Sequence, residues 1–141
     1  LTPLAPNSNF YYKPVLKPYE ISPGDVFSVG SIDFLAIDQD HGHSRTLGFR
    51  FGAIALTTDL VQLPEISFAA LEGIEVWILG VFSYEPHMTH VHVDLALEWI
   101  DRIQPKRAIL THLGPTIDYK IISDYLPGGV EAAYDGMNIK F

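Results

Sequence analysis

Apolar and polar residues alternate along the first half of the chain and recur at helical spacing in the second. Residues 1–14, LTPLAPNSNFYYKP, follow neither rhythm and hold three prolines, which predicts an irregular arm or linker. VLKPYEI (15–21) reads as a weak edge strand interrupted by Pro18, and Pro23-Gly24-Asp25 as a turn. VFSVG and SIDFLAID (26–38) predict two strands with a break near Gly30. TLGFRFG (46–52) alternates Leu47, Phe49 and Phe51 onto one face and sets Arg50 on the other, in solvent. AIALTTD (53–59) is an apolar run, and the pair around Gly52-Ala53 predicts an antiparallel hairpin.

After residue 60 the rhythm changes. Pro64 to Leu71 predicts a short helix ended by Gly73, and IEVWILG (74–80) a buried strand. VHVDLALEWIDRIQ (91–104) carries Leu95, Trp99 and Ile103 at helical spacing and stops before Pro105; Trp77 and Trp99 are expected in the core. RAILTH (107–112) is a second buried strand, and IDYKIISDYL (117–126) a helix. VEAAY (130–134) and MNIKF (137–141) read as strands joined at Asp135-Gly136. Strands followed by β-α-β-α-β predict an α/β chain with a mixed sheet.

Composition narrows the class. A length of 141 residues is about one domain. Seventeen acidic residues against nine basic ones, a net charge of −8, disfavour a phosphate-coating surface and hence non-specific nucleic-acid binding. Absence of cysteine removes disulfides, thiolate zinc sites and cysteine nucleophiles. No apolar run is long enough to span a membrane, and no signal-peptide pattern is visible, so a cytoplasmic soluble domain is expected. The chain opens at Leu1 rather than Met, as a piece of a longer protein does.

All six histidines, His41, His43, His87, His90, His92 and His112, fall between positions 41 and 112. Three ligand-type residues follow predicted strands: His41 after SIDFLAIDQD, Asp59 at the end of AIALTTD and His112 at the end of RAILTH. Carboxyl ends of buried strands are where α/β sheets place ligand sites, and neutral imidazole is a common metal ligand.

The ordered set DHGHSRTLGFRFG, LTTD, PHMTHVHVDLALEW, ILTHLG and AYDGM resembles the second half of a metallo-β-lactamase-fold hydrolase. The resemblance covers residues 15–141. It is strongest to the phosphodiesterase branch that opens phosphoribosyl cyclic phosphate, and weaker to the tRNA 3′-end-processing nucleases. It implies one half of an αββα sandwich: a mixed β-sheet with flanking helices. It also implies two divalent metal ions, Zn or Mn, held by His41, Asp59 and His112, with the Asp59 carboxylate bridging both. His92 matches the family's proton-donor histidine. Asp94 orients that imidazole or, more simply, caps the helix. His90 and His87 are expected to line the substrate pocket and Arg45 to meet a phosphate, whereas His43 is expected in solvent.

Two departures qualify the match. The family's His-x-His-x-Asp-His loop, which supplies most of the ligands, occurs nowhere in these residues. The chain is therefore expected to be the carboxyl-terminal half of a larger enzyme, inactive alone and weak in metal binding. Second, IEVWILG ends in Gly80 where relatives often carry Asp. Three functions follow, in this order. The first is a dinuclear metal phosphodiesterase acting on a small phosphorylated substrate by attack of activated water. The second is an RNA nuclease, disfavoured by the acidity. The third is a non-catalytic half-domain that self-associates, as a homodimer, through its uncovered apolar face.

Overall fold

A computed structural model of the chain describes residues 16–140; the arm read over 1–14 lies outside them. The elements, in chain order, are β1 (Val26–Val29), β2 (Ile32–Asp40), β3 (Arg45–Phe51), β4 (Ile54–Thr57), α1 (Glu65–Leu71), β5 (Val76–Gly80), α2 (Val93–Ile103), β6 (Arg107–Thr111), α3 (Tyr119–Tyr125) and β7 (Val130–Ala132). The strands form one seven-stranded sheet in sequence order, antiparallel from β1 to β4 and parallel from β4 to β7. This is the mixed sheet with flanking helices that the pattern predicts.

Two readings of the pattern do not hold. Residues 16–21 form no strand: Pro18 has no N–H to give a ladder, and Leu16 and Tyr19 are exposed. Residues 137–140 form none either. Asp135-Gly136 does make a turn, closed by the Met137 amide donating to the Tyr134 carbonyl. The chain then leaves the sheet plane, and Met137 and Ile139 pack against Ile54, Val76 and Ile109. A third correction concerns Arg50. Its guanidinium donates to the carbonyls of Gly52, Ala70 and Glu72, which end the β3–β4 turn and the α1 helix. Arg50 thus satisfies carbonyls that a seven-residue helix leaves without partners.

The strand register assigns the two faces. Ile37, Ala55, Trp77, Leu79, Leu110 and Ala132 point to one side and meet Phe68 and Leu71 of α1, Val93, Ala96 and Trp99 of α2, and Ile122 of α3. All three parallel crossovers therefore lay their helices on the same face, as right-handed connections between successive strands require. Trp77 is fully buried there, its indole N–H donating to Thr57 Oγ1 at 2.8 Å. The opposite face carries a contiguous aromatic group, Phe27, Phe34, Phe49 and Phe51, with ring centroids 5.3–6.4 Å apart. Since β2 and β4 run in the same direction as β5 and β6, their carboxyl ends share one edge of the sheet. That edge carries the candidate site.

Candidate metal centre

His41 follows the last residue of β2, Asp59 lies two residues beyond β4, and His112 directly follows β6. Asp59 and His112 both adopt left-handed backbone, φ 56° and 59°. Such a conformation costs a non-glycine residue about 1–3 kcal/mol and is retained where the surroundings impose it. Here it turns each side chain back across the strand ends. The Asp59 turn is held from below: Thr46 Oγ1 donates to the Asp59 carbonyl at 2.7 Å, and the Gln39 amide donates to the Thr58 carbonyl at 2.8 Å and to Thr46 Oγ1 at 3.0 Å.

The fourth member comes from the β5–α2 loop. His90 Nε2 lies 3.6 Å from Asp59 Oδ1, and His112 Nε2 lies 3.7 Å from the same oxygen. The His90 and His112 rings are stacked with centroids 5.1 Å apart, and the His41 ring stands perpendicular to His90 at 4.8 Å. Donor atoms of His41, Asp59 and His90 fall within 4.8 Å of one another. Phe82 lies under this group, 4.9 Å from His90 and 6.0 Å from His112. Burial and the neighbouring imidazoles of His112, His41 and His87 hold the His90 pKa below the ordinary histidine value, against the pull of Asp59.

The donor set suits a divalent cation. Ligand atoms about 2.1 Å from a tetrahedral zinc are roughly 3.4 Å apart, close to the 3.7 Å between His112 Nε2 and Asp59 Oδ1. His41 Nδ1 lies 2.6 Å from the Thr89 carbonyl oxygen. A carbonyl only accepts, so Nδ1 carries the proton and Nε2 offers its lone pair, the arrangement seen when a second partner orients a metal-ligating histidine. Gly42 is required for this contact: its φ is +81°, and a Cβ there would sit 2.5 Å from the Met88 carbonyl oxygen.

The remaining predicted site residues are placed as follows. His92 is the N-cap residue of α2, half-buried, and takes part in none of the ring contacts or hydrogen bonds of the cluster among the described residues. Asp94 sits in the first turn of α2, not at the cap, where its charge favours the helix N-terminus. His87 is exposed but leans at a tilt against Phe82 and His90, with ring centroids 5.1 and 5.3 Å away. His43 is exposed, as expected. The Arg45 guanidinium pairs with the carboxylates of Asp38 and Asp40 rather than standing free. A Cβ at position 80 would lie 3.1 Å from Thr58 Cα, tight against the segment that carries Asp59. Phe82 and Thr89 escape the sequence reading, because nothing in a mixed loop marks which residues face inward.

The chain thus carries a single sheet with helices on one face and a His/Asp cluster at the strand ends, and comparison with known proteins identifies its family. Residues 2–113 match the Beta-lactamase superfamily domain, and the chain belongs to that family. A diphosphatase from the PhnP family superposes with a TM-score of 0.81 at 25% identity, over 84% of this chain and 47% of that one. Zinc-bound PqqB from Methylobacterium extorquens superposes at 0.67 with 14% identity (86% and 55%), and the short form of human tRNase Z at 0.61 with 19% identity (81% and 45%). Among curated proteins, an octanoyltransferase of Porphyromonas gingivalis (strain ATCC BAA-308 / W83) is 24% identical over 126 residues, 88% of this chain and 26% of that protein. The chain thus spans about half the length of these structural neighbours and a quarter of that relative. Among the described residues, no helix is long and apolar enough to cross a membrane.

Proposed function

We propose that this chain carries part of the centre of a metal-dependent phosphodiesterase acting on a small cyclic phosphate or phosphodiester. The observation that carries the reading is the convergence of His41, Asp59, His90 and His112 on one sheet edge, with imidazole nitrogens 3.6 and 3.7 Å from a shared carboxylate oxygen. Likeness to a PhnP-family diphosphatase supports phosphorus as the reacting centre. His41 through Nε2, Asp59 through its carboxylate and His112 through Nε2 would hold two divalent cations, Zn or Mn by donor chemistry. Bound there, the cations supply the Lewis acidity that polarises a phosphoryl oxygen and acidifies water.

The chain's own residues do the rest. Asp59 gives the negative charge that lets two cations share one edge of the sheet. His90, facing the carboxylate, is the group best set to protonate a leaving alkoxide, giving up one N–H as imidazolium and ending as neutral imidazole, a role the family resemblance gives to His92. His92 stands apart as a helix N-cap, so we give the proton to His90. His87, at the mouth, faces the substrate side. Arg45, engaged by two carboxylates, is free for a phosphate only if it leaves them.

Two cations ask for more donors than two imidazoles and one carboxylate. We infer that a His-x-His-x-Asp-His loop from other sequence completes the centre, that residues 15–141 are the carboxyl-terminal half of that domain, and that the 141-residue chain alone binds metal weakly and turns over little. Isothermal titration with Zn or Mn tests this: weak binding is expected, and roughly 100-fold weaker binding still for Asp59→Asn. Unchanged metal affinity in Asp59→Asn would overturn the assignment. Hydrolysis of bis(p-nitrophenyl) phosphate and of a ribose cyclic phosphate by the full gene product tests the reaction. Salt-dependent tRNA cleavage instead, which likeness to tRNase Z keeps as a second reading, would favour the nuclease.

A further inference from the structure

The chain leaving β4 crosses the end of β3 to reach β2. There the Val61 amide donates to the Asp40 carbonyl at 2.7 Å and the Asp40 amide to the Gln62 carbonyl at 3.1 Å. Asp59 sits on this crossing, and the strand register decides what lies beneath it. Gln39 pairs with Thr46 across β2 and β3. The β3–β4 ladder sets Phe49 opposite Leu56, and carried three residues further it brings Thr46 opposite Asp59. One row of side chains therefore runs from Gln39 through Thr46 to the turn.

The direction of every hydrogen bond in this row is fixed. A backbone carbonyl only accepts, so the Thr46 hydroxyl gives its proton to the Asp59 carbonyl at 2.7 Å. The Thr46 oxygen is then left to accept, and Gln39 Nε2 donates to it at 3.0 Å. The same Nε2 donates to the Thr58 carbonyl at 2.8 Å, which settles which end of the carboxamide faces the turn. The Thr58 and Asp59 carbonyls belong to the two rigid peptide planes on either side of the Asp59 Cα. With both planes pinned, φ and ψ of Asp59 have little freedom left, and its backbone stands at φ 56°. The direction of Cβ follows, and the carboxylate is turned toward His112.

Two features separate this row from ordinary packing. Gln39 is fully buried, and among the described residues its Oε1 has no partner. An apolar side chain would avoid the cost of such an acceptor, but it would lack the Nε2 group that reaches both Thr46 and the turn. Gly48, two residues beyond Thr46 in β3, keeps the lane open. A Cβ there would come within 2.5 Å of Gln39 Oε1 and 2.9 Å of Thr57 Cγ2.

We propose that Gln39 and Thr46 are positioning residues that lock the peptide planes flanking Asp59, so that the bridging carboxylate is aimed before any cation arrives. They act through backbone carbonyls and not through the carboxylate itself. The purpose of the lock rests on the metal-centre reading, whereas the lock can be measured without metal.

The first test uses the metal-free full gene product. Thr46→Val keeps the side-chain shape and removes the hydroxyl; Gln39→Met keeps the length and removes the amide. Crystal structures of both should show Asp59 leaving the left-handed region, with its carboxylate displaced by more than the ~0.5 Å that a working site tolerates. Thr46→Ser, which returns the hydroxyl, should return Asp59 to its wild-type conformation. If Gln39→Met does not fold, Thr46→Val decides alone. An Asp59 that stays left-handed in Thr46→Val, its carboxylate in place, would overturn the proposal.

The second test is the zinc affinity of the same protein, read by competition with a chromophoric chelator. Groups that orient a metal ligand are worth about 10- to 100-fold in affinity. A loss in that range is expected for Thr46→Val and Gln39→Met, and Thr46→Ser should reverse it. In an Asp59→Asn background, with no carboxylate left to aim, the same substitutions should cost little more. A loss of equal size there would mark the row as general scaffolding and sink the positioning role. A wild type that binds no zinc would count against the metal-centre reading alone, and the Asp59 conformation in the variants would still decide the lock.

Discussion

Gly42 shows how a single missing Cβ holds the centre together. His41 reaches the Thr89 carbonyl only because the chain turns at Gly42 with φ +81° and lies flush against the Met88 carbonyl. Gly42→Ala combines a left-handed conformation, about 1–2 kcal/mol for an L side chain, with a contact at 2.5 Å to a backbone oxygen that has little room to move. Loss of about 2 kcal/mol or more is expected in denaturant unfolding, together with weaker metal binding; an unchanged midpoint would show that the loop does not press on His41 as described. At this scale the sequence was informative where chemistry sits on regular structure. His41, Asp59 and His112 could be read because each ends a strand, and strand ends have a known place in the sheet. The pocket loop could not be read in the same way. His87, His90 and His92 are two or three residues apart, and only the loop's path decides that His90 enters the cluster while His92 begins α2.

Element boundaries followed from local signals wherever those signals were strong. Pro105 and the left-handed Gln104, φ 55°, end α2, and Gly73, φ 73°, follows α1 as the pattern predicts. Asp118 begins α3, accepting from the amides of Lys120 and Ile121 at 2.9 and 3.0 Å. Asp118→Ala should therefore cost about 1 kcal/mol in thermal or urea unfolding, and no loss would mean that packing of Ile122 alone holds the helix. Failures occurred where the pattern was apolar but the ladder had no partner: residues 137–140 look like a strand and instead lay Met137 and Ile139 across the sheet. The last strand is tied to β6 by Arg107 and Glu131, 2.5 Å apart. Arg107 holds the Glu131 carboxyl below its usual pKa, so the folded state binds that proton less readily than the unfolded one. The pair's stabilisation is present above the ordinary carboxyl range and is lost as pH falls through the lowered value. With both partners partly in solvent it amounts to about 0.5 kcal/mol. Melting curves of wild type and Glu131→Gln should differ slightly at neutral pH and converge in acid; a gap that widens in acid would reverse the sign.

At the scale of the molecule, the two faces of the sheet are unequal. One is sealed by three helices; the other presents Phe27, Phe34, Phe49 and Phe51, with Val29 and Ile32 61% and 50% exposed beside them. The mixed sheet was legible from periodicity, whereas the extent of this face was not, because alternation tells which residues share a side but not what covers it. A contiguous apolar face of this kind marks an interaction surface, and the chain spans only 47% of the PhnP-family diphosphatase it superposes on. We therefore expect the 141-residue chain to associate with a second copy through this face. The charge of −8 opposes that pairing at long range and is screened by salt, so the associated fraction should rise with ionic strength, the opposite of an ion-pair interface. Sedimentation velocity at low and moderate salt reads this directly. Phe49→Asp, set in the middle of the aromatic group, should shift the chain to monomer while its helix face keeps a cooperative melt. A wild-type chain that stays monomeric at about 100 μM, far above the micromolar Kd of a modest interface, would mean that the face is covered within the chain itself.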